Sequence, residues 1–249
     1  MADWPAGVTS RVLDVTDSTM AEAARAAPGL AGPEWVLALA QTAGKGRRGR
    51  PWSMPAGNFA ASLTMRPNGA PDQAALRSFV AALALDEALA TATGRAQGLA
   101  LKWPNDVLLN GGKVAGILLE SIGSGGRMDH LIIGFGVNLV LAPDPATLEP
   151  RAVAPVSVLS ETGVALTPQE FLPVLARAFA RYEAQFATYG FAPIRTAWLA
   201  RAARLGQPIT ARTPLAEITG TFRDVDETGN LIIDTAEGRR RITAADVFF

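Results

Sequence analysis

An α+β fold is predicted by three features of this 249-residue sequence. Helical and strand-like apolar patterns are mixed over residues 1–204. A turn signal, Asn110-Gly111-Gly112, sits between two apolar runs and is the strongest hairpin signature in the chain. From about Gly206 the composition changes to short alternating strands, which predict a small all-β barrel over residues 205–249.

The first predicted element is a short helix after Asp17-Ser18-Thr19, with Thr19 and Glu22 at capping-box spacing and Pro28-Gly29 ending it. Trp35 to Ala40 predicts a buried strand, and Phe59 to Met65 a second one. Apolar residues at helical spacing run from Asp72 to Thr93, and Gly94 is placed to stop that helix. Val107–Leu109 and Val114–Glu120 form the hairpin arms, and Leu131 to Val140 a further strand with Gly134 and Gly136 inside it. Thr167, Pro168 and Glu170 predict a second capped helix start, running to about Thr188, and Pro193 opens a shorter helix ending near Arg204. The last predicted strands are Ile209–Arg212, Ile218–Val225, Leu231–Asp234 and Arg240–Thr243.

Composition removes several function classes. Hydrophobic residues make up 49% and charged residues 18%, enough for a sizeable core. Basic and acidic residues both number 23, so bulk electrostatic attachment to nucleic acid is not expected. The absence of cysteine excludes disulfides, thiolate metal sites and Cys nucleophiles, and the single His130 excludes His-rich metal sites. The N-terminus, Met-Ala-Asp-Trp-Pro, has no signal-peptide pattern, and Asp86 and Glu87 interrupt the longest apolar stretch. A soluble cytoplasmic protein is expected.

Positive charge is instead concentrated in Gln41-Thr42-Ala43-Gly44-Lys45-Gly46-Arg47-Arg48-Gly49-Arg50-Pro51-Trp52. Glycines let backbone approach a ligand, arginines offer planar forks for phosphate, and the indole can stack. A solvated turn or a nonspecific nucleic-acid patch explains the same residues. The loop is no Walker A motif, because Leu39 stands at the first glycine position and Gly46 follows Lys45. A second constellation is Lys102-Trp103-Pro104-Asn105-Asp106 with Gly112-Lys113-Val114-Ala115-Gly116-Ile117-Leu118-Leu119-Glu120. Its acceptors suit magnesium or polar ligand groups, and Lys113 heads an apolar strand; an Asx turn with a snorkelling lysine is the alternative. The third is Gly134-Phe135-Gly136-Val137-Asn138, open either to a ligand or to plain sheet packing. Asp17-Ser18-Thr19 is explained equally by a helix cap.

In order and spacing these segments resemble the biotin protein ligases, which carry Asp-Ser-Thr, Gly-Arg-Gly-Arg-x-Gly-Arg before Trp, Lys-Trp-Pro-Asn-Asp, Gly-Lys-x-x-Gly-Ile-Leu-x-Glu and Gly-x-Gly-x-Asn. The resemblance extends from roughly Ser10 to the C-terminus. It implies a mixed, mainly antiparallel sheet with packed helices, related to class II aminoacyl-tRNA synthetases, followed by an SH3-like barrel. It implies ATP and biotin as substrates with Mg2+, formation of biotinyl-5′-AMP, and transfer to a lysine of a biotin carboxyl-carrier domain, acetyl-CoA carboxylase being the expected carboxylase. The protein would be a monomer or homodimer, with no specific DNA binding and no membrane attachment.

Carried over residue by residue, the pattern puts Ser18, Thr19 and Gln41 on the ureido ring of biotin and Lys45 among the biotin contacts. Gly44, Gly116, Gly134 and Gly136 would allow close approach. Arg47 and Arg50 would contact carboxylate and phosphates, Trp52 would cover the ligand, and Asn105 would face adenine or phosphate. Asp106 would lie near magnesium-bound phosphates, Asn138 on the nucleotide side, and Lys113 against the carboxylate and α-phosphate oxygens. Two departures stand out: Lys45 replaces the usual Arg, and Met20 stands where Asn is common. No helix-turn-helix precedes Asp17, which is the pattern of the short ligase class. Lipoate ligases share the fold, but no Arg-Arg-x-Ser-Gly-Gly-Gly segment occurs; a non-catalytic nucleic-acid binder is opposed by the neutral charge.

Overall fold

The computed structural model describes residues 4–67, 71–124, 127–144, 149 and 151–249. The first three residues, on which the reading of the N-terminus partly rests, lie outside them. A seven-stranded sheet is built from β1 (Thr9–Thr16), β2 (Glu34–Gln41), β3 (Phe59–Met65), β4 (Leu99–Lys102), β5 (Asp106–Leu109), β6 (Gly112–Ser124) and β7 (Arg127–Val137), in the order β1-β2-β3-β7-β6-β5-β4. Only β1–β2 is parallel; the other five pairings are antiparallel. Asn110 (φ 50°) and Gly111 (φ 83°) make the predicted two-residue turn between β5 and β6, where paired left-handed residues match the strand twist.

Side chains alternate along each strand, so each face has its own partners. On β7, Leu131, Ile133, Phe135 and Val137 point into the main core, whereas Ile132 packs with Met20 and Ala23 of helix α1 (Thr19–Ala26) in a separate cluster. The main core is covered by α3 (Arg77–Thr93), α5 (Pro168–Tyr189) and α6 (Phe191–Leu199); the helix expected from Asp72 to Thr93 is divided at Leu76 into a short α2 (Pro71–Ala75) and α3. Edge-to-face pairs knit it: Phe59 with Phe171, Trp35 with Phe179, and Phe79 with Trp198. Arg77, 3% exposed, reaches across to Glu183 at 2.7 Å, so the charge buried between α3 and α5 is paired. Gly94 ends α3 in the left-handed conformation (φ 68°), and Thr167 and Glu170 cap α5 reciprocally, as their spacing predicts.

The remaining strands are β8 (Pro208–Arg212), β9 (Glu217–Val225), β10 (Leu231–Thr235), β11 (Gly238–Ile242) and β12 (Asp246–Phe248). They form one antiparallel sheet ordered β11-β10-β9-β8-β12; among the described residues no ladder joins its two edges, so the expected barrel is not closed. Trp103 Nε1 donates to the Gly229 carbonyl (3.1 Å) and anchors this module to the first sheet.

Several expectations need correction. Ser18, not Thr19, caps α1: its hydroxyl accepts from Ala21 N, which leaves Thr19 inside the helix. Helix α6 begins at Phe191 and ends at Leu199, so Pro193 sits in its first turn. Strand β7 stops at Val137; the backbone N–H of Val140 goes to Asn58 Oδ1 instead of a neighbouring strand. Four elements have no counterpart in the sequence reading: β1, β4, α4 (Val158–Thr162) and β12. Three of these are short, and β1 alternates exposed and half-buried positions without a strong apolar period.

Candidate active site

Strand register explains where the cavity opens. Directly paired residues share a face, and one such row crosses five strands: Lys102, Asp106, Gly116, Gly136 and Ala60. The next row holds Leu118, Gly134 and Ser62. This face points away from the helical core. Because its residues between β5 and β3 are mostly small, a cavity of about 600 Å³ lies over them, a size suited to a small-molecule ligand.

Trp52 lies flat on this floor. A Cβ on Gly136 would fall 2.4 Å from Trp52 Cε2, and one on Gly116 would fall 3.2 Å from Cζ3 and 3.5 Å from Lys113 Nζ. Gly136 is therefore required by the indole stacked over it, whereas at Gly116 a side chain would fit only tightly.

One end of the cavity presents neutral donors. The backbone N–H of Thr19 donates to Gln41 Oε1 (2.7 Å), which fixes the Gln41 amide with its NH2 group left over. Ser62, fully buried on β3, donates to Thr19 Oγ1 (2.8 Å), so the Thr19 hydroxyl keeps its own hydrogen. Ser18 Oγ accepts from Ala21 N and likewise keeps its hydrogen. Three donors are thus left over at this end of the cavity, a set suited to a carbonyl-type acceptor. Met20 lies beside them, its sulfur filling the place a Gly134 side chain would take.

The other end is ionic. Lys113 Nζ is 2.7 Å from Asp106 Oδ1, and Lys102 Nζ is 3.5 Å from Oδ2. Burial pushes the Asp106 carboxyl up, but the two ammonium groups outweigh it and hold it below the usual carboxylate range. Burial pulls Lys102 down, opposed by Asp106. Arg47 is likewise pulled down by burial, against the attraction of Asp246 and Asp106.

The basic loop is closed on itself by Gly46 N to Arg50 O (2.7 Å) and Trp52 N to Gly44 O (2.9 Å). Arg48 and Gly49 both take positive φ at its tip, a bend that Gly49 makes without strain. Gly44, Gly46 and Gly49 have the spacing of a dinucleotide fingerprint, but Arg47–Gly49 form a three-residue turn and the next element is a strand, not an α-helix. Arg47 donates to Asn105 Oδ1 (3.2 Å) and to the Ala245 carbonyl (3.3 Å). Asn105 in turn donates to the Ile117 carbonyl (2.6 Å), which ties the loop to β6.

Most residues singled out from the sequence meet here: Ser18, Thr19, Gln41, Lys45, Arg47, Arg50, Trp52, Asn105, Asp106, Lys113, Gly116, Gly134, Gly136 and Asn138 line the one cavity. Gly44 does not. A Cβ there would meet Gln41 Nε2 and the Trp52 carbonyl at 2.9 Å, so its smallness serves loop closure. The Asn138 amide, 2% exposed, donates to the Val156 carbonyl at 3.0 Å and so also braces the wall it lines. The sequence reading did not single out Ser62, Asp246 or Glu149. Ser62 occupies an inward position of a strand read correctly, whereas Asp246 and Glu149 stand in segments that carry no motif.

Comparison with known proteins identifies the family. Residues 12–138 match the biotin/lipoate A/B protein ligase family, and residues 205–249 match the biotin protein ligase C-terminal domain. A biotin–[acetyl-CoA-carboxylase] ligase of Paracoccus denitrificans is 62% identical over 94% of this chain and 98% of its own. A bifunctional ligase/repressor of Bacillus subtilis is 32% identical over 94% of this chain and 72% of its own. Among solved structures, the Aquifex aeolicus biotin protein ligase in complex with biotin and ATP superposes with a TM-score of 0.81 at 25% identity, covering 96% of this chain and 98% of that one. The chain belongs to the biotin/lipoate A/B protein ligase family, of the branch that carries the biotin protein ligase C-terminal domain.

Proposed function

We propose that the chain is an ATP-dependent biotin protein ligase, which activates biotin as biotinyl-5′-AMP and transfers it to a lysine of a biotin carboxyl-carrier domain, that of acetyl-CoA carboxylase. The observation that carries this reading is the polarity of one continuous cavity, with neutral donors at Ser18, Thr19 and Gln41 and cations at Lys113, Lys102, Arg47 and Arg50. A ligand with a urea-like carbonyl at one end and a carboxylate at the other fits that polarity. The Paracoccus relative supplies the identity of the acid and the acceptor.

In the first step the biotin carboxylate attacks the α-phosphorus and pyrophosphate leaves. Both reactants are anions, so the site must hold them against repulsion. Lys113 lies over Gly116 and faces the carboxylate and α-phosphate oxygens, stabilising the charge that builds there. Arg47, fixed by Asn105 and Ala245, and Arg50 contact phosphate oxygens; Trp52 covers the intermediate. In the second step the acceptor amine attacks the acyl carbon, AMP leaves, and the amine loses a proton. Lys45, Gly134 and Gly136 belong to the biotin side, and Asn105 and Asn138 to the nucleotide side.

A Mg2+ ion would arrive on the triphosphate. Each Asp106 oxygen meets one lysine, Lys113 or Lys102, and keeps a lone pair besides, while the described residues gather no cluster of three or more metal-ligating side chains. Asp106 is the carboxylate we assign to such a phosphate-borne ion, and no step above runs through it. The protein works in the cytoplasm as a monomer or homodimer, without specific DNA binding, with the catalytic domain at residues 1–204 and the C-terminal module at 205–249. No helix among the described residues is long and apolar enough to cross a membrane.

Biotin-dependent ATP–pyrophosphate exchange, with lipoate as control, tests the reading. Exchange with biotin alone is expected. Exchange with lipoate alone would overturn the substrate, and salt-sensitive DNA binding without exchange would overturn the activity.

A further inference from the structure

The arginines expected to meet phosphate are already bound to carboxylates. Asp246, the first residue of β12, receives Arg48 at 2.7 Å, Arg50 at 2.9 Å, Arg212 at 3.2 Å and Arg47 at 3.9 Å. Glu149 receives Arg50 at 3.0 Å and also closes on Arg212. The Asp246 side chain is only 12% exposed and lines the same cavity as Lys113 and Gly116. A small anion ringed by guanidinium groups is how arginines hold a phosphate, because their planar forks match its oxygens.

Charge makes the arrangement self-limiting. Lys45, Arg47, Arg50, Lys102 and Lys113 line the cavity against Asp106, Glu149 and Asp246, an excess of two positive charges. Asp106 is held on the other side by Lys113 and Lys102, which leaves Asp246 and Glu149 as the anions on the loop. A triphosphate carries more negative charge than that excess and needs the same N–H donors. Two anions crowded onto one set of guanidinium groups repel each other.

We propose that Asp246, assisted by Glu149, is a positioning residue that competes with phosphate: it orients Arg47, Arg48 and Arg50 at the rim of the cavity and gives up their N–H donors to an incoming phosphate. The C-terminal module thereby supplies an anion to the loop, and nucleotide binding is an exchange of one anion for another. The nature of the incoming phosphate rests on the ligase reading; the tether itself does not.

The test uses the full chain without biotin, with inorganic pyrophosphate as the probe. Removing the internal competitor with Asp246→Asn should tighten pyrophosphate binding by about tenfold, while Asp246→Glu, which keeps the charge, should restore the parental affinity. The ligand-free loop should also be cut faster by trypsin at Lys45, Arg47, Arg48 and Arg50 in Asp246→Asn, and pyrophosphate should abolish the difference. A purely structural strut would instead leave pyrophosphate binding unchanged or weaker, and either result overturns the proposal. Should Asp246→Asn fail to fold, Glu149→Gln decides: tighter binding supports the exchange and unchanged binding overturns it. Biotin-dependent exchange, run alongside on the parent chain, separates the two ideas, since its failure would remove the ligase reading and leave the pyrophosphate result standing.

Discussion

Replacing Lys113 with methionine keeps most of the aliphatic stem over Gly116 and deletes the ammonium. At 2.7 Å from Asp106, two unit charges attract by about 6 kcal/mol at an effective dielectric of ~20. The full amount is not lost. The Lys113 side chain is 30% exposed, so solvent screens part of it, and Lys102 stays 3.5 Å from the same carboxylate. A net cost of ~1–3 kcal/mol, between that of an exposed and a buried pair, is expected. For a chain of this size each kcal/mol moves the melting temperature by roughly 2–4 °C. The folded protein therefore survives the change, and its chemistry can be read. If Lys113 meets charge that develops only on the way to biotinyl-AMP, exchange should fall by about a hundredfold to a thousandfold. Biotin affinity should change by no more than about threefold. Exchange rate and calorimetric biotin binding, measured on one preparation, decide the matter. Parental exchange would remove Lys113 from the mechanism; equal losses of exchange and biotin affinity would make it a ground-state contact.

Arg47→Gly removes the bonds to Asn105 and Ala245 and should speed loss of biotinyl-AMP, seen as biotinylation of bystander lysines; unchanged retention would refute it. Gly136→Ala puts a methyl group 2.4 Å from Trp52 and should displace the indole at a cost of ~1–3 kcal/mol, with faster release of biotinyl-AMP. Unchanged release kinetics would separate Trp52 from ligand retention. In the C-terminal module, burial pushes the Asp226 carboxyl up, but bonds from Asn230 and Thr228 outweigh it and hold its pKa at about 2 against an ordinary 3.8. Its stabilisation is complete above the unfolded value and fades as pH falls toward 2, so Asp226→Ala should reduce the acid-side fall of the unfolding free energy by about 1–2 kcal/mol; an unaltered slope would refute it.

What the sequence disclosed, and what it hid, divides along a physical line. Lys102 to Asp106, Gly112 to Glu120 and Gln41 to Trp52 are contiguous, and their chemistry is carried by residue types at short spacing. The hairpin at Asn110-Gly111 was legible because left-handed turns demand those residues. The floor of the cavity was not, since it depends on register: Gly116 faces Gly136, and Gly136 faces Ala60, only after three strands have paired. Ser62 was hidden for the same reason, because nothing local distinguishes a serine that orients a threonine from one that fills a strand. The cap of α1 was misplaced by one residue because Ser18 and Thr19 are both competent caps, and the choice is made by the tertiary pull of Gln41 and Ser62 on Thr19.

The least legible part is the one that joins the two modules. Asp246 stands between alanine and apolar residues, and nothing near it in sequence announces a partner. Yet Arg47 of the loop stands 198 residues before Ala245, and it reaches both Asn105 in the turn between β4 and β5 and Ala245 beside β12. A neutral chain can bring two anions together only if its positive charge is gathered in one place, and gathered charge repels itself until something neutralises it. Asp246 of the C-terminal module supplies part of that neutralisation. Its strand β12 is therefore part of the site's electrostatics, and a truncation after β7 or α6 would remove the counter-charge as well as a wall. Loop order, anion affinity and the presence of the last strand should accordingly change together.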